Sequence, residues 1–255
     1  MNIEIGDYPK NAKKAVRFFW RKKREAQKKK QEKGTSDQGQ RGGATGGKNL
    51  DGFVDLITDI IKKSSSQPLT VCTSTKEITL PGYFRSSKRW DIVVIDQNGR
   101  MLAAIELKSL GGPSYGNNAN NRCEEAIGNA VDFRTAQREG AFGEGTSSFL
   151  GYLILVEDDD KSSAPPKNPT KSPHFDNDPI FEGASYQKRM AILCDRLVQE
   201  ELYDAAIAIA AKDDGGKSGT FKDLSEASSL KKFLLKVAAH IATETEVDDS
   251  RENST

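Results

Sequence analysis

The 255-residue chain has three cysteines and two histidines. Cys72, Cys123 and Cys194 are widely spaced and form no Cys-x-x-Cys pair. That argues against a zinc site and fits free thiols in a reducing compartment. With only His174 and His240, a histidine-based metal nuclease or a Ser-His-Asp hydrolase has little to work with. No apolar run approaches the ~20 residues of a membrane span. No apolar h-region with a cleavage site opens the chain, so a cytoplasmic location and no membrane partner are expected. The net charge of +1 does not announce a nucleic-acid binder.

Charge is present but segregated. Lys10 to Lys33 holds twelve Lys or Arg and two acids, whereas the residues after Ile241 are mostly acidic or small and polar. Six glycines fall among the fifteen residues from Gly34 to Lys48, the composition of a flexible connection or an extended loop. The expected organisation is a basic N-terminal segment and Gly-rich loop (1–48), one domain (49–243) and an acidic flexible tail (244–255). The basic segment reads equally well as a charged surface helix and as a phosphate-contacting arm.

Periodicity predicts helices over 9–33, 49–63, 122–138, 186–201 and 225–242, strands over 77–84, 90–97, 100–109 and 148–156, and a strand or helix end over 203–211. Residues 110–121 read as a Gly- and Asn-rich loop, and 161–183 as a Pro-, Ser- and Asn-rich excursion.

Two acids and a lysine sit on one predicted hairpin. Asn98-Gly99 is a strong two-residue turn signal. Counting outward from it places Asp91 directly opposite Glu106, and Lys108 projects from the same face two residues further on. Facing like charges destabilise a sheet. The flanking Ile-Val-Val-Ile and Leu-Ala-Ala-Ile runs are apolar on both faces, as in central strands. A carboxylate pair placed there requires a cation. A divalent metal beside a lysine is suited to phosphodiester hydrolysis. Asp91 and Glu106 would hold Mg²⁺, with the Leu107 carbonyl and waters. Lys108 would stabilise developing charge, or position and help deprotonate the attacking water. Asp51 is the first candidate for an additional acid, ahead of Asp55 and Glu77.

Ser114, Tyr115, Asn117, Asn118, Asn120, Asn121 and Arg122 form a second constellation. Asn pairs bidentately with adenine and Arg with guanine. The same residues also suit turn and cap chemistry. Lys88 and Arg89 are placed to reach phosphates, or simply lie on the surface.

The Asp…Glu-x-Lys pattern resembles that of the PD-(D/E)xK nuclease superfamily. Asn49 to Phe53, Leu80 to Tyr83, Gly112 to Asn118, Asn120 to Arg122, Glu124 to Gly128, Leu153 to Asp158, Ser172 to Phe175 and Gly183 to Tyr186 are similar, in order, to motifs of the XhoI family of type II restriction endonucleases. The similarity runs from about Gly46 to Ile241. It implies an α/β (α+β) restriction-endonuclease-like core, αβββαβ in order, with a mixed sheet flanked by helices. It also implies Mg²⁺-dependent cleavage of double-stranded DNA at the palindrome CTCGAG, after the first C of each strand and giving 5′-phosphates. A homodimer and a companion DNA methyltransferase in a bacterial cytoplasm go with it. A structure-specific repair or recombination nuclease of the same fold, and a non-catalytic DNA-binding module, remain open on the residues alone.

Overall fold

The computed structural model describes residues 5–32, 49–143, 147–167 and 172–252. Six strands form a mixed sheet in the order β1 (Leu69–Cys72), β4 (Ile92–Asp96), β5 (Met101–Leu110), β6 (Phe149–Glu157), β7 (Ala205–Ala211) and β8 (Lys222–Asp223). β1, β4 and β5 run antiparallel, β5, β6 and β7 parallel, and β8 closes one edge antiparallel to β7. β2 (Thr79–Pro81) and β3 (Ser87–Arg89) form a separate two-stranded ribbon. The two parallel connections run through α3 (Tyr115–Arg138) and through α4 (Asp160–Ser163) with α5 (Tyr186–Gln199). β6 and β7 are buried almost throughout, as expected where helices cover both faces.

One face of the sheet packs on α1 (Tyr8–Glu32), α2 (Asp51–Ser64) and α6 (Leu230–Glu252), the other on α3 and α5. Ile105 and Leu107 of β5 belong to the first core, and Ala104 and Leu110 to the second. Glu106 and Lys108 alternate with Ile105 and Leu107 and therefore project towards the α3/α5 side. The expected αβββαβ order is realised as α2–β1–β4–β5–α3–β6.

Several boundaries differ from the sequence reading. The first strand of the core is Leu69–Cys72, not 77–84, which contributes only the ribbon strand Thr79–Pro81. The helix expected at 122 begins at Tyr115, so the asparagines stand on helical turns rather than in a loop. Ala12, Ala15, Val16, Phe19 and Trp20 of α1 are buried in the same core as α2 and α6. The helix carries a solvated basic face and an apolar stripe, and burial of that stripe decides its place. The acidic tail likewise begins as packed helix: Thr245 is buried and Glu244 Oε2 lies 3.0 Å from Arg100 Nη1. The Gly-rich stretch 34–48 lies outside the described residues. Among the described residues no helix is long and apolar enough to cross a membrane.

Candidate active site

The hairpin reaches its expected register by an unexpected route. The turn is longer than two residues: Asp96 N–H donates to the Arg100 carbonyl (3.0 Å), and Gly99 N–H to the Asp96 carbonyl (3.2 Å). Gly99 takes φ +80°, a conformation that favours glycine. The buried Asp96 carboxylate caps the turn, accepting from Asn98 N–H, Arg100 N–H and Arg100 Nε. This turn shifts the pairing by one residue, so Ile95 faces Met101. A β-bulge then restores the count, and Val94 faces Ala103 and Ile92 faces Ile105.

That register puts Asp91 level with Glu106, but Asp91 itself leaves the ladder. Its N–H donates to the Ile105 carbonyl (3.1 Å), and its Oδ2 accepts the Leu107 N–H at 2.7 Å. Glu106 is buried. Its Oε1 pairs with Lys108 Nζ, and its Oε2 lies 2.6 Å from Lys88 Nζ. The Lys88 ammonium also sits 4.4 Å from the centre of the Trp90 ring. A buried carboxylate costs several kcal/mol unless it is paired, and here two ammonium groups pair it.

The charges adjust to this burial. Asp91 is pushed up to about 6, first by desolvation and then by the negative Glu106, against the Leu107 N–H and the two lysines. Burial lowers Lys88, outweighing the pull of Glu106. Lys108 is raised: burial opposes its charge, but Glu106, Asp91 and Glu125 outweigh that.

The donor set fits a magnesium ion in composition. Asp91 and Glu106 are hard oxygen donors, and Mg²⁺ is commonly held by one or two carboxylates with waters and substrate phosphate completing the shell. Among the described residues no cluster of three or more His, Cys, Asp or Glu is placed to hold a metal. Asp51 stands in the first turn of α2, whose buried residues pack on the opposite face of the sheet from Glu106. Asp55 is on the same helix, and Glu77 is exposed and accepts the Ser74 hydroxyl.

The DNA-contact candidates divide. Asn117, Asn120 and Asn121 are exposed on the first turns of α3, and Asn118 is half-buried. Ser114 occupies the N-cap position without a capping side-chain hydrogen bond. Arg122 Nε donates to the Ser109 carbonyl (3.3 Å), one residue beyond Lys108, and its guanidinium pairs with Glu125. Tyr115 is placed differently from them. Its ring is buried and stacked on Tyr186, and its hydroxyl donates to Asp159 Oδ2 at 2.8 Å. Tyr115 instead ties α3 to the end of β6. There Glu157 also accepts Gly112 N–H and pairs with Lys23 of α1.

Lys88 is the residue the sequence reading undervalued. Read as a surface or phosphate-contacting group, it is withdrawn from solvent against Glu106. The available signal was Trp90, whose burial draws the preceding ribbon inward. His174 is exposed on its loop, and His240 bonds the Leu102 carbonyl (3.0 Å) from α6. All three cysteines are free.

The fold thus brings Asp91, Glu106, Lys88 and Lys108 together, and comparison with known proteins decides the family. Residues 29–223 match the family model for restriction endonuclease XhoI. The chain belongs to the XhoI family of type II restriction endonucleases. It is 42% identical over 212 residues to the type II restriction enzyme BstVI of Geobacillus stearothermophilus, covering 82% of this chain and 93% of that protein. It is 43% identical over 199 residues to the type II restriction enzyme XhoI of Xanthomonas vasicola, 78% of each chain. It is 46% identical over 175 residues to AbrI of Azospirillum brasilense, covering 69% and 77%. No solved structure gives a significant match. As a member of this XhoI family, the protein is a site-specific deoxyribonuclease.

Proposed function

We propose that this endonuclease cleaves double-stranded DNA at CTCGAG, after the first C of each strand, leaving 5′-phosphates, and that Asp91, Glu106 and Lys108 are its catalytic residues. The observation that carries the site is the buried Glu106 between Lys88 and Lys108, with Asp91 turned out of the ladder beside it. The cut sequence rests on the similarity to XhoI and its relatives.

Asp91 and Glu106, with the Leu107 carbonyl, would hold Mg²⁺. When bound, the ion supplies charge stabilisation for the pentavalent phosphate and the leaving 3′-oxygen. Lys108 holds a positive charge where the attacking water and the scissile phosphate meet. It orients that water and stabilises the charge that develops on the phosphate oxygens. Asp91 and Glu106 keep Lys108 charged and fix its ammonium in place. Asn117, Asn118, Asn120, Asn121 and Arg122, with Ser114, rise from the element that follows β5 and supply the donors and acceptors for base reading. A palindrome is most simply read by a two-fold symmetric protein, so the working form is a homodimer. A methyltransferase acting on the same site would protect the DNA of the bacterial cell in whose cytoplasm the enzyme works.

Digestion of a sequenced plasmid with Mg²⁺, followed by run-off sequencing of the ends, reports activity, site and cut position together. Cuts at a different sequence would overturn the site assignment. Sedimentation at micromolar protein should give about twice the chain mass; a strict monomer with and without DNA would overturn the dimer.

A further inference from the structure

The β2–β3 ribbon ends in two exposed aromatic rings on a rigid mount. Tyr83 is 54% exposed and Phe84 69%, and their rings meet edge to face at 5.0 Å. Nothing in the mount is loose. Asp132 of α3 is buried, and its Oδ1 accepts both Tyr83 N–H (2.9 Å) and Phe84 N–H (2.7 Å). Its Oδ2 accepts Arg85 Nε at 2.8 Å, and Arg85 Nη2 reaches Asn129 Oδ1 at 2.8 Å. At Gly82 a Cβ would lie 2.6 Å from Asp132 Oδ2 and 2.7 Å from the Arg85 carbonyl, so this close approach needs glycine. The root of the ribbon is fixed as well: Ile78, Leu80 and Trp90 are buried in the α3/α5 core, and Trp90 packs edge-on against Phe133.

A buried carboxylate committed to two backbone N–H groups and an arginine is a strong local constraint. Its effect here is to hold two large apolar rings in water. An exposed aromatic pair held this firmly marks a contact surface for a partner.

We propose that Tyr83 and Phe84 form a stacking wedge for the DNA bases beside the cut. The inference rests on the active-site reading above. β3 carries Lys88 into contact with Glu106, and Phe84 lies four residues earlier on the same ribbon. At about 3.3 Å per strand residue the backbone of Phe84 lies within roughly 13 Å, and that of Tyr83 within roughly 17 Å, of the Lys88 backbone. At about 3.4 Å per base pair this spans about five pairs from the scissile phosphate. The exposed Arg89 gives the ribbon a positive group outside that ion pair, complementary to a phosphate backbone. Apolar side chains inserted at a base step unstack it, and aromatic rings stack on any base. The wedge therefore reads deformability, or holds an unstacked base, at a step near the cut.

The test uses the full chain, Ca²⁺ in place of Mg²⁺, and a duplex carrying the site mapped by plasmid digestion. 2-Aminopurine is placed in turn at each position within five pairs of the cut. Wild-type protein should raise its emission severalfold at one step. Phe84→Ala and Tyr83→Ala should abolish that rise and weaken cognate binding roughly ten- to hundredfold. Their melting temperatures should stay unchanged, and Phe84→Trp should retain the rise. Unchanged emission and affinity in Phe84→Ala would overturn the wedge. So would a halved sedimenting mass in Phe84→Ala with affinity recovered at high protein concentration, which would assign the rings to a second copy of the chain. Lys108→Ala is run beside them: if it still cuts, the active-site assignment fails, while the emission result stands independently.

Discussion

Lys88 Nζ lies 2.6 Å from Glu106 Oε2 with both side chains withdrawn from solvent, 10% and 2% exposed. The two residues come from different sheets, and the contact joins the β2–β3 ribbon to the central strand. It also sets a cation against the carboxylate that would hold the metal.

Removing that cation should favour a metal. In Lys88→Met, one carboxylate oxygen of Glu106 loses its competitor while Lys108 keeps the other. Calorimetric binding of Ca²⁺ without DNA should tighten roughly tenfold, a fraction of the unscreened attraction between such charges. Weaker binding would mean that Lys88 orders Glu106 for the ion rather than competing with it.

Glu106→Ala should abolish cleavage by several orders of magnitude while gel-shift binding to the cognate duplex persists. Sequence alone suggests that relief of repulsion with Asp91 would leave the fold intact or slightly firmer. The structure reverses that expectation. The substitution strands two ammonium groups that Glu106 pairs, so urea unfolding should show a loss of about 3 kcal/mol. Glu106→Gln, which keeps the shape, should lose less. Near wild-type cutting by the folded variant would remove this hairpin from the mechanism.

Asp132 gives a pH signature. Burial works to raise its carboxyl, but Arg85 and the Phe84 and Tyr83 N–H groups outweigh burial and hold it below the usual range. A lowered folded-state value contributes stability above the unfolded carboxyl range, near pH 4, and that contribution is lost as pH falls towards the folded value. Asp132→Asn should therefore be less stable than wild type at pH 7 by about 1–3 kcal/mol. The difference should shrink as urea titrations move from pH 5 to pH 3. A difference constant across that range would mean that the carboxylate charge is not what holds the loop.

Trp20→Ala on α1 should cost about 3–5 kcal/mol, as for a large buried side chain. Deleting residues 8–29 should unfold the chain rather than merely flatten its salt dependence. A deletion variant that stays folded and cuts at the same site would make α1 an appendage after all.

Asn118→Ala, Asn121→Ala and Arg122→Ala should each weaken cognate binding by about 1–3 kcal/mol and leave random DNA unaffected. Tyr115→Phe removes the bond to Asp159 and should lower stability by about 1 kcal/mol with unchanged site preference. If Tyr115→Phe relaxed specificity, the ring would have to leave its stack on Tyr186.

The sequence by itself determined the five long helices, the strands β4, β5 and β6, the level pairing of Asp91 with Glu106 and the family. Each of these lives in short-range pattern: helical periodicity, the apolar runs of β4 and β5, the Asn98-Gly99 signal, and ordered motifs that need no knowledge of what packs where. Even there the bulge went unread, because two compensating one-residue shifts leave no trace in a count. Tertiary structure alone decided the rest. Lys88 looks like any surface lysine until the burial of Trp90 carries it to Glu106. α1 reads as a charged arm because its charges outnumber its apolar stripe, yet the stripe is what packs. Tyr115 reads as part of a polar loop, but its ring is buried against α5. In each case the deciding free energy comes from contacts between residues distant in sequence, which no local pattern encodes.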